Sequence, residues 1–430
     1  MRNNPAITEN LNANLVIIGG GGAGMAAALT AAEKGVENIL VLDKRGIGGN
    51  SAMAFGIFAA DSPVQKRNKI NCTRDECFKI AMNWSQWRIN PCIIRALIDK
   101  SGDTVKWLEE KGVEFECGPF FPNQLPTFHV PKGRGAELMK TLKENCRALG
   151  IKLMPRSPAA QILTDERGHL TGVHAQATEA GLNISCKAVI VATGGFGGNE
   201  EMLRQYCPEY HSRMERVGLP HMGDGIRMAA QIGAATDSRN VLLLGGPSSL
   251  HPPDLHVKPG IKPDLSVIGL MPIAWEPRAL WLNSKGKRFA DESVDSGSYP
   301  TTNPVVNQPD NLCYTVLDSN LVEMISEQGP VMSMGVSKEK GDRKLPGLAG
   351  DLKARVKNGL VHIFGSLEEM AGWMQVDPGI IKDTLEEYNS SCDGAHDRIF
   401  LKDKKYLFPL RTTPYYVIKW QTAFTNTIGG

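Results

Sequence analysis

Three groups of residues have types and spacings that could do chemistry. The first is glycine: Gly19, Gly21 and Gly24 stand as G-x-G-x-x-G directly behind the apolar run Leu15-Val16-Ile17-Ile18. Glycines so spaced allow a tight turn, let backbone approach a pyrophosphate and seat a helix closely on a strand. The helix then presents its free N–H groups to the phosphates. The second is a carboxylate. Asp43 follows the run Asn38-Ile39-Leu40-Val41-Leu42, nineteen residues past Gly24, where an acid can accept a ribose hydroxyl. The third mixes signs: Lys287-Arg288 followed by Asp291-Glu292. A guanidinium can stabilise charge building on an electron-withdrawing group. As a proton donor it needs neighbours that reprotonate it, because its pKa lies above about 12.

The elements that must position these residues can be read from the same sequence. Leu15–Ile18 has the continuous apolar character of a parallel strand covered on both faces. Met25–Lys34 is alanine-rich and stops at Gly35, a helix of the right length to follow the glycine turn. Strand, turn, helix, strand and acid arrive in the order of a dinucleotide-binding unit. Gly48–Gly56 is too poor in bulky residues for a core helix and could lie flat against a large ring. Gln161–Cys186 reads as a β-meander turning at Glu166-Arg167-Gly168, and Ala188–Gly195 repeats the pattern of buried strand followed by small residues. Helical spacing runs through 71–112, where Trp84, Trp87 and Trp107 read as core. Prolines and glycines crowd Asn240–Pro277, as in a hinge with loops entering a second domain. Leu280–Asn283 and Lys287–Glu292 flank Ser284-Lys285-Gly286 as a short hairpin, and Leu367–Asn389 predicts two helices.

Composition excludes several classes of function. The 430 residues carry a net charge of +2, which gives no broad field for nucleic acid or anionic membrane. No apolar run is long enough to span a bilayer, and the polar start Met1–Asn14 lacks the layout of a secretion signal, so the expectation is a cytoplasmic protein. The nine cysteines include no C-x-x-C and no cluster spacing, so they read as reduced thiols and no metal site is expected; Cys72 and Cys77 are the closest pair.

Taken together, the opening motif, Gly49-Asn50-Ser51, "VIVATGGFGGN", "GDGIRMAAQIGA", "LWLNSKGKRFADE", "LEEYN" and "TPYYVIKWQTAFTNTIGG" resemble the flavoprotein family of fumarate reductase and succinate dehydrogenase over nearly the whole chain. The fold this implies is α/β: a Rossmann-like FAD-binding domain with a parallel sheet and β-meander, plus an inserted α+β capping domain. The implied boundaries are 1–240 for the first part of the FAD-binding domain, 241–355 for the cap, and 356–430 for helices returning to the FAD-binding domain. The resemblance implies FAD contacts at Gly19, Gly21, Ala23, Gly24, Asp43, Lys44, Gly49, Asn50, Ser51, Ala54, Gly56, Ala160, Thr193, Gly194 and Asp224. It implies Arg288 as proton donor, with Asp291 or Glu292 orienting it, and His251 on the substrate side. Membrane-bound members attach FAD to a histidine after the first motif; no histidine precedes His129 here, so non-covalent FAD is expected.

The departures from the family point away from fumarate. Where members that reduce fumarate carry Glu-x-x-Arg-Gly, this chain reads Glu276-Pro277-Arg278-Ala279, and Asn426 replaces the histidine before Thr-x-Gly-Gly. Losing two charge-assisted grips, each worth about 1.5–3 kcal/mol, implies a less anionic enoate or enone. The family continues beyond the position of Gly430, so the expectation is a truncated chain or a flavin site open on one side. The leading reading is reduction of an activated C=C bond in a small-molecule substrate. Open beside it are a ketosteroid-type dehydrogenase, a flavin subunit served by a separate electron-donor protein, and an inactive flavoprotein fragment.

Overall fold

The computed structural model describes residues 8–85, 87–119, 125–176, 181–212, 214–216, 221–235, 241–245, 269–293, 303–331 and 344–428. The first lobe is built on β1 (Thr8–Ile18) and β2 (Ile39–Leu42), which run parallel and are joined through helix α1 (Gly22–Glu33). Their register pairs Leu15 with Ile39 and Ile18 with Leu42, so the two strands end side by side at Gly19 and Asp43. Alternation decides what each strand residue covers. Leu15 and Ile17 face α1 and α4 (Arg134–Ala148), joining Met25, Leu29, Leu138 and Leu142, while Val16 and Ile18 face Ile162, Val173, Ile184 and Met228 on the other side.

Four more strands complete this sheet: β3 (Lys152–Met154), β4 (Ala159–Thr164), β5 (Leu170–Gln176) and β6 (Gly181–Val191), in the order β3-β2-β1-β6-β5-β4. The inner strands are parallel, and β4-β5-β6 form the antiparallel meander the sequence predicts. Its turn is set by Asp165, whose side chain accepts from the N–H groups of Arg167 and His169.

Two helices predicted over 71–112 are α2 (Arg74–Trp84) and α3 (Pro91–Glu110). Each starts where its cap dictates: Thr73 and Glu76 form a capping box, and Asn90 accepts from the Cys92 N–H ahead of a first-turn proline. The expectation that the tryptophans of this stretch are core is corrected for Trp84 and Trp87, while Trp107 packs against the core of the first lobe. Trp84 and Trp87 are 39% and 59% exposed, and the partly buried Trp107 donates to Glu33 at 3.1 Å.

A separate three-stranded sheet consists of β7 (Glu215–Arg216), β8 (Val241–Gly245) and β13 (Ala423–Ile428), with β13 in the centre. The second lobe has its own sheet, β9 (Leu280–Leu282), β10 (Leu312–Leu317), β11 (Val361–Phe364) and β12 (Tyr415–Gln421), antiparallel throughout in the order β9-β10-β12-β11. One apolar cluster runs from Leu270 to Trp420 and includes α6 (Leu367–Met374) and α7 (Pro378–Asp393). Trp281 and Trp420 meet edge to face at 5.5 Å in its centre; each indole N–H finds an acceptor, Ala274 O and Thr315 Oγ1. The boundary expected at 355 is thereby corrected. Residues 356–421 belong to the second lobe, because β11 and β12 are needed to complete its sheet, and the chain leaves it only at Thr422.

Candidate functional site

The carboxyl ends of β1, β2 and β6 open on one cavity of about 550 Å³. This is where an open α/β sheet places its ligands. The floor is Gly19 to Ala23. Gly19 has φ +113°, and a Cβ there would stand 2.3 Å from the Ala192 carbonyl oxygen. Gly24, behind the floor, lets α1 sit on β1: its Cβ would be 1.8 Å from Gly19 O. The N-cap of α1 is Gly21, which offers no capping side chain, and its first turn holds no acid. The positive end of the helix therefore faces the cavity without a carboxylate of its own to neutralise it.

The walls are polar at a few fixed points. Asp43 accepts from the N–H groups of Gly20 and Arg45, both at 2.8 Å, which pins its carboxylate at the end of β2 and leaves each oxygen further acceptor capacity. Ser51 Oγ accepts from the Gly22 N–H at 3.0 Å, tying the Gly49–Met53 turn to the glycine floor. Asp224, first residue of α5 (Asp224–Gln231), pairs with Lys44 and, at 2.9 Å, with Arg227. Burial pushes the Asp224 carboxyl up, but these two cations more than offset that and hold it below its ordinary value. His221 packs on Gly194; burial, then the nearby Arg216, Lys44 and Arg45, keep its imidazole below the usual histidine value. Small apolar residues, among them Ala192, Ala229 and Ala230, finish the walls.

A second charged cluster lies inside the other lobe. Arg288 makes a bidentate contact to Glu292, 2.9 Å on each arm, and a third bond to Asp397 at 2.8 Å. Lys402 reaches Glu292 at 3.1 Å and also donates to Ala279 O and Tyr388 Oη. The rings of Tyr388 and Phe400 lie against the guanidinium, 5.1 and 4.9 Å from its carbon. Burial pushes the Arg288 guanidinium down, yet Glu292 and Asp397 outweigh it and raise it above its ordinary value. Nearby, Arg278 is spent on Glu276 at 2.5 Å, Gly329 O and Met324 Sδ.

Residues 14–430 match the family model described as FAD binding domain. The chain belongs to this FAD-binding family. FAD is its cofactor, and the chain is an oxidoreductase acting on CH–CH bonds. It is 30% identical over 423 residues to a vinyl phenol reductase of Lactiplantibacillus plantarum, covering 97% of this chain and 84% of that protein. It is 25% identical over 425 residues to a cytochrome-type fumarate reductase of Shewanella frigidimarina, covering 97% of this chain and 67% of the other. A 3-ketosteroid Δ1-dehydrogenase structure from Sterolibacterium denitrificans shares the fold, with a TM-score of 0.74, 17% identity, and coverage of 97% of this chain and 89% of that one.

The cavity fits FAD on its own features: a glycine floor that side chains would fill, a helix start with no acid in its first turn, an acid at the neighbouring strand end and thin alanine walls. Of the contacts implied by the sequence, Gly19, Gly21, Ala23, Asp43, Lys44, Gly49, Asn50, Ser51, Thr193, Gly194 and Asp224 line it. Gly24, Ala54, Gly56 and Ala160 do not. Gly24 serves helix packing. The Ala54 carbonyl accepts from the Gly135 N–H, and Gly56 abuts the strand Phe128–Pro131, where a Cβ would meet His129 O at 2.5 Å. Ala160 sits exposed at a β-bulge, and its neighbour Ala159 takes the wall position.

The structure sets Arg288 apart from this cavity, inside the second lobe. It is 8% exposed, held by two carboxylates and two rings, and lies off the cavity wall. Asn426 lies on β13 opposite Leu243. His251 falls outside the described residues. Sequence reasoning passed over the alanines of α5 as wall residues, although their signal, the run Met228-Ala229-Ala230 after Gly-Asp-Gly, was in view.

Proposed function

We propose that the chain reduces a carbon–carbon double bond activated by an aromatic ring or a single electron-withdrawing group, with FAD held non-covalently and electrons drawn from a separate donor protein. The observation that carries this reading is the 30% identity to a vinyl phenol reductase across 97% of the chain. A urocanate reductase of Eggerthella lenta, 25% identical over 440 residues, supports the same reaction type. The second lobe supports the low substrate charge, since Arg278 and Arg288 are both committed to internal carboxylates.

When bound, FAD supplies two-electron redox chemistry by hydride transfer. This chain's residues hold and orient it: the α1 N-terminus and the Gly19–Ala23 floor take the pyrophosphate, Asp43 takes the ribose, and Lys44 with Asp224 fixes the far wall. His251 and Asn426 are the polar groups assigned to the substrate side.

The test is anaerobic turnover of the FAD-loaded protein with a reduced viologen dye as donor, offered vinylphenol, urocanate, acrylate and fumarate in turn. The aryl alkene is expected to give the highest kcat/KM, and a clear preference for fumarate would overturn the assignment. Acid precipitation should release the flavin into the supernatant; flavin that stays with the polypeptide rejects non-covalent binding. His251→Ala is expected to raise KM for the preferred alkene, and an unchanged KM removes His251 from the substrate side.

A further inference from the structure

Away from the cofactor cavity, Cys72 and Cys77 bring their Sγ atoms to 3.0 Å. Cys72 ends the loop before α2, and Cys77 lies on its first turns, with the Cys77 N–H bonded to Thr73 O. Both thiols are buried in an apolar cluster with Ala60 and Ile98, backed by Phe58, Ile70 and Ile94. Cys72 is 5% exposed and Cys77 0%, and Asn71 and Thr73 on either side of Cys72 are exposed. A disulfide needs sulfurs about 2.05 Å apart, so closing this pair asks for roughly 1 Å of movement within a loop and one helical turn.

We infer that Cys72 and Cys77 form a redox-responsive dithiol, a modification site at which hydrogen peroxide closes an intramolecular disulfide without involving the cofactor cavity. The roles of the two sulfurs follow from their surroundings. The hydrogen bond between the two sulfurs holds Cys72 below its ordinary pKa, while the same contact and then burial raise Cys77. Burial pushes the neighbouring Cys117 up to about 12, and its thiol is engaged by Pro126 O at 3.3 Å. Cys72, 5% exposed and flanked by the exposed Asn71 and Thr73, is the sulfur that peroxide reaches first, and Cys77, 0% exposed behind it, is the resolving one.

The reaction balances in two displacements. Cys72 sulfur attacks one peroxide oxygen, the O–O bond breaks, and the departing hydroxide takes the thiol proton and leaves as water. Cys77 sulfur then displaces the oxygen of the resulting sulfenic acid, and its proton completes the second water. Two thiols give up two electrons, peroxide takes them up, and one S–S bond forms.

The experiment uses the full-length, FAD-loaded protein, purified anaerobically in the Cys92→Ser background to remove the exposed thiol. After treatment with stoichiometric hydrogen peroxide, thiols counted under denaturing conditions should fall by two and the intact mass by two hydrogens. Because Arg74 lies between the two cysteines, trypsin should then release Ile70–Arg74 and Asp75–Lys79 as one cross-linked species, which dithiothreitol separates. Cys77→Ser should instead carry Cys72 on to sulfenic and sulfinic acid. The proposal is overturned if Cys77 stays free while Cys72 becomes sulfinic in the otherwise unaltered pair, or if the pair remains unreacted at peroxide levels that oxidise Cys117 or Cys392.

Discussion

Two regions of this chain concentrate opposite charges, and they differ in what the charges are for. At the cavity, Lys44 and Asp224 are 36% and 29% exposed, and both line the ligand space. In the second lobe, Arg288 is 8% exposed while Glu292, Asp397 and Lys402 are fully buried, two positive groups against two negative. The open cluster has electrostatic capacity to offer a ligand. The closed one has used its capacity on itself, and its carboxylates also accept the N–H groups of Trp281, Ile399 and Phe400. An arginine beside a Gly-Lys hairpin reads as chemistry in a sequence, but the number of buried carboxylates around it decides whether any of its charge is left over.

The sharpest way to break this comparison is to remove the closed cluster's centre. Arg288→Ala leaves Glu292 buried with Lys402 as its only cation beside the Trp281 N–H, and Asp397 with backbone donors alone. Removing one partner of a buried ion pair costs about 3–5 kcal/mol, and that loss is expected in chemical denaturation. FAD affinity of the fraction that remains folded should be unchanged. If Arg288→Ala were as stable as the parent yet unable to turn over, the cluster would be catalytic after all and the contrast between the regions would vanish.

Much of the first region was legible in the sequence because local rules act over short spans. Gly19, Gly21, Gly24 and Asp43 lie within 25 residues, and strand register places them together once β1 and β2 pair. The β-meander and α2–α3 were legible for the same reason, through turn and cap residues such as Asp165, Thr73 and Asn90. The second region was not, since its partners come from far apart: Asp397 and Lys402 join Arg288 across more than a hundred residues of chain. The lobe boundary was hidden likewise, because β12 completes a sheet begun at Leu280 and nothing local to Tyr415–Gln421 says which sheet it joins. Trp84 and Trp87 show the converse limit. Helical spacing marks a face as apolar but does not guarantee that anything covers it.

A medium-sized effect is expected from Asp43→Asn in the open region. The side chain anchors Gly20 and Arg45 N–H groups at 2.8 Å, and an amide turned into that position offers one oxygen where the carboxylate offered two. A hydrogen bond to a charged group contributes about 1.5–3 kcal/mol, so FAD should bind roughly 10- to 150-fold more weakly by fluorescence-quenching titration. Global stability without FAD should change much less. Equal losses in both measurements would mean that Asp43 is a structural residue like Glu292 and not a ligand-facing one.

The smallest effect tests the openness of the first region directly. Lys44→Met removes one of the two cations on Asp224, and because the pair is partly exposed its loss is expected to cost at most about 1 kcal/mol of stability at neutral pH. The sign of its pH dependence follows from the depressed carboxyl. A folded-state pKa below the unfolded one contributes stability that is present above the ordinary aspartate value of 3.8 and is lost as pH falls through the folded value. Without Lys44, burial pushes the carboxyl up against Arg227 alone, so the folded value rises and the acid limb from this group shrinks. Denaturation midpoints measured from pH 7 down to pH 3 should therefore converge for Lys44→Met and the parent as the carboxylate is protonated. Curves that stay parallel, or a neutral-pH loss as large as that of Arg288→Ala, would show the Lys44–Asp224 pair to be as closed as the cluster in the other lobe.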